Sequence, residues 1–158
     1  MLEIKAPENY ILSKERKSIF LAGSIEMGEA EDWQLKVKEA LEDKDVLLLN
    51  PRRDDWDNSW EQSIDNQPFR EHVVWELTAM ENADIIIFNF VAGTKSPIAL
   101  LELGLFKDKK IFVCCPEGYW RQGNVEIVCS RYGIPFFEDL EKMIQTVRSH
   151  LCSVLPTT

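Results

Sequence analysis

Two acids stand where an acid loses hydration and gains little. Glu102 lies in SPIALLELGLF, residues 96–106, among Leu100, Leu101, Leu103 and Leu105. Glu76 lies in FREHVVWELTAMENADIII, between Trp75 and Leu77, four residues after His72. That spacing puts His72 and Glu76 on one helix face. Each acid has an ordinary reading. Glu102 is then a helix-edge group paired with Lys107 or Lys109, and Glu76 a surface acid paired with His72. The chemical reading takes them together. Two carboxylates meeting in one cleft are what breakage of a glycosidic bond requires. One attacks or stabilises the anomeric carbon and the other handles protons.

Other candidates are binding groups. AGSIEMGE, at 22–29, brings Gly23, Ser24 and Gly28 after an apolar strand, a possible anion-binding turn at a helix start. It has neither Gly-Lys-Ser/Thr nor a full G-x-G-x-x-G, and Glu26 and Glu29 would repel a phosphate. PRRDDWDNSW puts Arg53, Trp56 and Trp60 in one loop. It reads either as a solvated charge cluster pinned by tryptophan or as a lid that stacks on a base. EGYWRQGN repeats the mixture with Tyr119, Trp120, Arg121 and Asn124.

The elements that position these residues follow from hydrophobic patterning. Residues 18–24, 46–51, 83–90, 110–116 and 134–137 read as strands, the longer ones continuous apolar runs. Helical spacing covers 29–43, 68–82, the SPIALLELGLFKD segment, 124–133 and 138–151. Alternation of buried strands with helices predicts a parallel sheet covered on both faces. The expected fold is α/β: a flavodoxin-like, doubly wound, five-stranded sheet of order 2-1-3-4-5. Ligands of such sheets bind at the carboxyl ends of the strands. There lie the loops 23–28, 50–67, 89–97 and 116–123. Residues 1–17 read as a polar arm, and 18–158 as one domain.

Composition sets the bounds. The 158 residues are 45% hydrophobic and 28% charged, with a formal net charge of -9. That charge argues against nucleic-acid polymers and anionic membranes as partners, though not against a small nucleotide. No run spans a bilayer, and the first residues lack the apolar core of a signal peptide. Cys114, Cys115, Cys129 and Cys152 fit no zinc spacing and read as reduced thiols of a cytoplasmic protein. No metal or organic cofactor is expected.

FLAGS at 20–24, ENADIII at 81–87 with Glu76 upstream, and LLELG at 100–104 together resemble the nucleoside 2-deoxyribosyltransferase family. They also resemble its relatives, the 2'-deoxynucleoside 5'-monophosphate N-glycosidases. The resemblance runs in order from about residue 18 to 140 and includes NPRRDDW and YWRQGNV. It implies that Glu102 is the nucleophile that takes the deoxyribosyl group. It implies that Glu76, eight residues before Asp84, assists at the base or sugar, one methylene longer than the family's Asp. Six residues before the nucleophile, transferases carry an Asp and the monophosphate hydrolases a phosphate-holding Ser. Here that residue is Ser96. Ile19 stands where transferases have Tyr, and Glu26 where hydrolases have Arg. Members are homo-oligomers that lend a residue to a neighbour's site, and Asn124 is the residue expected to do so. The substrates implied are a nucleoside or nucleotide and a free base. The activity implied is deoxyribosyl transfer, with nucleotide N-hydrolysis as the alternative. A nucleotide sensor that has lost turnover is the reading from another class.

Overall fold

The computed structural model describes residues 1–26 and 30–153. The elements run β1 (Leu2–Lys5), β2 (Lys17–Gly23), α1 (Trp33–Ala40), β3 (Val46–Asn50), α2 (Gln67–Asn82) and β4 (Ile85–Asn89). Then follow α3 (Pro97–Leu105), β5 (Ile111–Cys114), α4 (Gln122–Tyr132), β6 (Phe136–Phe137) and α5 (Leu140–Ser153). The strands form one parallel sheet of order β1-β3-β2-β4-β5-β6. Its last five strands have the expected doubly wound order, but the sheet has six strands rather than five. The sixth comes from the segment read as a polar arm. Leu2–Lys5 pairs with β3 along one edge. Glu3 there accepts from Asn50 at 2.9 Å and from Lys38 at 2.6 Å, and Lys5 pairs with Asp54 at 2.7 Å. An edge strand needs only one buried face and tolerates charge on the other, so it carries no continuous apolar run.

The core lies on both sides of the sheet. Phe20, Ala22, Ile86, Phe88 and Val113 face Ala79 and Met80 of α2, Ala99 and Leu103 of α3, and Val125 and Cys129 of α4. Ile19, Leu21, Leu48, Ile87 and Phe112 face Trp33 and Val37 of α1 and Met143, Ile144 and Val147 of α5. Period-two alternation within wholly buried strands thus feeds two layers of helices. α2 and α3, which bear the two candidate acids, share one face.

Helix starts are set locally. Asp32 caps α1 by accepting from Leu35 N–H at 3.1 Å, and Asn66 caps α2 by accepting from Phe69 N–H at 3.1 Å. α1 therefore begins at Trp33, later than the spacing predicts. Residues 27–29, where the expected start and Gly28 fall, lie outside the described residues. α3 has Pro97 in its first turn, yet Ser96 before it is left-handed, with φ 45°, and makes no side-chain cap. A carboxylate from another loop supplies that cap, as described below.

Candidate active site

α3 inverts the usual helix pattern. Ile98, Leu101 and Leu105 are each about 60% exposed, while the acid Glu102 is 7% exposed. Their spacing of three and four residues lines the exposed leucines and isoleucine up as one stripe. No described residue donates a hydrogen bond to the Glu102 carboxylate, and no described cation pairs with it. The expected lysine partners are engaged elsewhere: Lys107 with Asp108 at 2.7 Å and Lys109 with the Glu81 carbonyl at 2.6 Å. Burial first, and the nearby charge of Glu76 second, push the Glu102 carboxyl up to about 8. Desolvation and a like charge both disfavour the ionised form. The two acids thus feel one another.

Glu76 is flanked by an aromatic and imidazole wall. His72 Nε2 lies 3.3 Å from Glu76 Oε1. Trp56 packs edge-on against His72 at 5.0 Å and against Trp60 at 5.1 Å. His72 Nδ1 and Trp56 Nε1 are buried with no hydrogen-bond partner among the described residues. Trp56 thus packs on the imidazole that lies beside Glu76. Arg53 is engaged within its own loop. It forks onto Asp55 at 2.8 and 2.9 Å and stacks over Trp60 at 4.9 Å, which stiffens the loop.

Gly23, Ser24 and Ser96 meet where β2 and β4 end. Gly23 has φ 135°, and a Cβ there would stand 2.1 Å from the Asn89 carbonyl oxygen. Only glycine allows the strands this approach. Ser24 N–H then donates to that same oxygen at 2.9 Å. Ser24 Oγ, fully buried, is a hub: it accepts from Val91 N–H at 2.9 Å and lies 2.7 Å from both Thr94 Oγ1 and Ser96 Oγ. Thr94 donates to the Val91 carbonyl at 2.8 Å. One proton arrangement satisfies these three hydroxyls, with Glu26 Oε1 at 3.2 Å the second acceptor open to the single Ser96 proton. Ser96 donates to Ser24, Ser24 to Thr94, and Thr94 to the backbone.

Glu26 completes this corner. Its Oε1 accepts from Ser96 N–H at 2.9 Å and Lys95 N–H at 3.2 Å, and lies 3.2 Å from Ser96 Oγ. Glu26 and Ser96 are the two non-glycine residues with positive φ among those described. Both ends of one interaction are thus held in a sparsely populated backbone state, which the surroundings must enforce. Tyr119 and Trp120 help to do so. Tyr119 Oη and Trp120 Nε1 both donate to the Lys95 carbonyl, at 2.6 and 3.0 Å. The loop read as a stacking surface therefore clamps the start of α3. Asn124 is exposed in the first turn of α4 and joins none of these hydrogen bonds.

Thr94, the capping role of Glu26 and the clamping role of Tyr119 escape a sequence reading, whereas His72 shows by its spacing of four from Glu76. Surface hollows of about 860 Å³ by Ile127, Arg131 and Tyr132 and of about 470 Å³ by Tyr10, Val74 and Trp75 lie among the described residues, and neither is lined by Glu102 or Glu76. Among the described residues no group of three or more His, Cys, Asp or Glu could hold a metal ion, and no helix is long and apolar enough to cross a membrane.

The fold is a doubly wound α/β sheet with Glu76 and Glu102 on helices that cover one of its faces. The chain belongs to the family described as nucleoside 2-deoxyribosyltransferase like, whose sequence profile matches residues 16–119. That span takes in Gly23, Ser24, Trp56, Glu76, Ser96 and Glu102, and it ends before Asn124. Among curated proteins, none matches this chain. Membership implies an enzyme acting on nucleosides.

Proposed function

We propose that the protein cleaves the N-glycosidic bond of a 2'-deoxynucleoside and transfers the deoxyribosyl group to a second base. The observation that carries this reading is the buried Glu102, unpaired by any described cation and raised by Glu76. A structural acid at that cost would have a partner. In the first half-reaction ionised Glu102 attacks C1' and a C1'–O bond forms. The C1'–N bond breaks, and its electron pair goes to the base, which leaves with a proton. Glu76, oriented by His72, is placed to manage that proton. In the second half a base nitrogen attacks C1', loses its proton and frees Glu102. Water attacking instead would make the protein a hydrolase by the same first half.

Incubating the protein with a deoxynucleoside and a second free base tests this. Exchange of bases is the expected result. Free base alone means hydrolysis, and binding without product means a sensor.

The pH profile carries a sharper expectation. The nucleophile is the ionised form, so kcat/KM should rise with pH through a midpoint near 8, the value to which Glu102 is pushed, and level off above it. Glu76→Gln removes the like charge but leaves burial, so this limb should move to lower pH while the plateau falls, by roughly 10²-fold if a proton-transfer group is lost. An unmoved limb in Glu76→Gln would show that Glu76 does not act on Glu102.

We further propose a homo-oligomer. The stripe of Ile98, Leu101 and Leu105, with exposed Val74 on α2 and Ile127 on α4, supports it. The family resemblance also implies a residue lent across to a neighbour's site, and Asn124 is a candidate for it. Three buried thiols, Cys114, Cys115 and Cys129, pushed up to about 12, 12 and 11 mainly by burial, are poor nucleophiles and fit a cytoplasmic protein with no disulfide among its free cysteines.

A further inference from the structure

We infer that His72 is a positioning residue for Glu76, held in one tautomer by Trp56: the indole Nε1–H donates to imidazole Nδ1, and imidazole Nε2–H to the Glu76 carboxylate. The role depends on the proton-handling function proposed for Glu76 above, and extends it to the loop between β3 and α2. His72 is 6% exposed and lies one turn before Glu76 on α2. Its Nε2 stands 3.3 Å from Glu76 Oε1, just beyond ordinary hydrogen-bond range. Its Nδ1 and the Trp56 Nε1 are both buried, and neither has a partner among the described residues. Yet the two rings touch, with centroids 5.0 Å apart and planes at 69°.

The chemistry of each group selects one proton arrangement. An indole nitrogen only donates, an ionised carboxylate only accepts, and an imidazole nitrogen does either. An imidazolium would leave two buried donors, Nδ1–H and Nε1–H, with no acceptor for either. A neutral ring with its proton on Nδ1 would leave the same two donors and turn a lone pair toward Glu76. A neutral ring with its proton on Nε2 is the one form in which both contacts attract. A buried polar atom left unpaired bears its full desolvation cost, so a small turn of the indole that joins the two nitrogens is favoured. Accepting at Nδ1 draws electron density from the ring and makes Nε2–H the better donor. Because this ring is neutral, it places Glu76 without cancelling its charge, and that charge is what Glu102 feels after burial. Trp56 is itself backed by Trp60 at 5.1 Å, over which Arg53 stacks at 4.9 Å. A row of packed rings thus runs from the loop to the acid.

The chain has two histidines, so nitrogen NMR of the imidazoles resolves both rings, and His150→Gln identifies His72 by removing the other. At pH ~8, where an ordinary imidazole is neutral, the His72 ring should carry its proton on Nε2 and show an Nδ1 that accepts a hydrogen bond. Trp56→Phe keeps an aromatic ring on the imidazole and should move the Nδ1 resonance toward that of an unbonded nitrogen. With a 2'-deoxynucleoside and a second base, Trp56→Phe should lower kcat about 10-fold and leave KM within about 2-fold. His72→Phe should lower kcat about 100-fold, and His72→Gln, whose amide still donates, should recover at least about 10-fold of that loss. In a Glu76→Gln background His72→Phe should cost less than about 3-fold more, because it acts only through Glu76. Thermal melting checks the folding of each variant. A proton on Nδ1 of the wild type overturns the inference, as does an Nδ1 resonance unmoved by Trp56→Phe or a multiplied loss in the double variant. Should no nucleoside turn over, the proposed reaction fails, and the nitrogen spectra still decide for or against the Trp56 bond and the Nε2–H tautomer.

Discussion

Glu102→Gln should abolish base release while making the protein more stable at alkaline pH. The amide keeps the size and shape of the side chain, so the packing beside Ala99 and Leu103 survives. It cannot attack C1' as an anion, and loss of a nucleophile costs about 10³-fold or more in kcat. The stability change has a definite sign. A carboxyl raised on folding, from 4.5 to about 8, binds its proton more tightly in the folded chain. The folded state therefore pays no ionisation penalty below the unfolded value. The penalty grows as pH rises between the two values and is complete above the folded one. At pH about 8 it amounts to as much as about 4 kcal/mol, an upper figure, because burial of this kind relaxes. Glutamine has nothing to ionise. The melting temperature of Glu102→Gln should match the wild type near pH ~4 and exceed it by at least about 5 °C near pH ~8. A helix-edge acid held by a lysine would give the reverse, normal activity with lower stability.

Gly23→Ala should be among the most damaging single changes in the chain. Its Cβ would stand 2.1 Å from the Asn89 oxygen and 2.8 Å from both Asn89 C and N, all backbone atoms. No rotamer relieves that contact, so β2 and β4 must part at their carboxyl ends. The strained φ of 135° adds to the cost. About 3 kcal/mol or more of stability should be lost, lowering the melting temperature by roughly 10 °C. Activity should fall further than stability explains, because Ser24, Thr94, Ser96 and the start of α3 hang on this junction. Gly133→Ala is the control. Gly133 also has positive φ, at 65°, but no atom lies within 4 Å of its added Cβ. It should cost only about 1–2 kcal/mol, the strain alone. Equal melting temperatures for the two variants would show that the close approach at Gly23 is not essential.

These expectations rest on features of unequal visibility in the sequence. The four inner strands are legible because a sheet covered on both faces demands uninterrupted apolar residues, as in IIIF of β4 and LLL of β3. β1 is not, because an edge strand tolerates Glu3 and Lys5. Glu102 is legible as a misfit: an acid among leucines stands out whichever way the helix turns. That Leu101 and Leu105 are exposed while it is buried is not, since periodicity cannot say which face of an almost wholly apolar helix meets the sheet. The corner around Ser96 is hidden for another reason. Residues before proline avoid the right-handed helical region, but nothing in KSP indicates φ 45°. Glu26, read as a group that would repel phosphate, is the cap of a helix seventy residues away, a long-range pairing that no local pattern encodes. Tyr119 and Trp120 show the converse. Aromatic loops at a sheet edge suggest ligand stacking, and here their polar tips serve a backbone carbonyl instead.

The central claim is that Glu102 bonds covalently to the sugar. Quenching the protein in acid during turnover of a 2'-deoxynucleoside, without acceptor base, and mapping the adduct by peptide mass spectrometry tests it most directly. The account predicts one deoxyribosyl group on the peptide containing Glu102, lost when a second base is added. A deoxyribosyl group on any other peptide, or base release with the protein unmodified throughout, would contradict it.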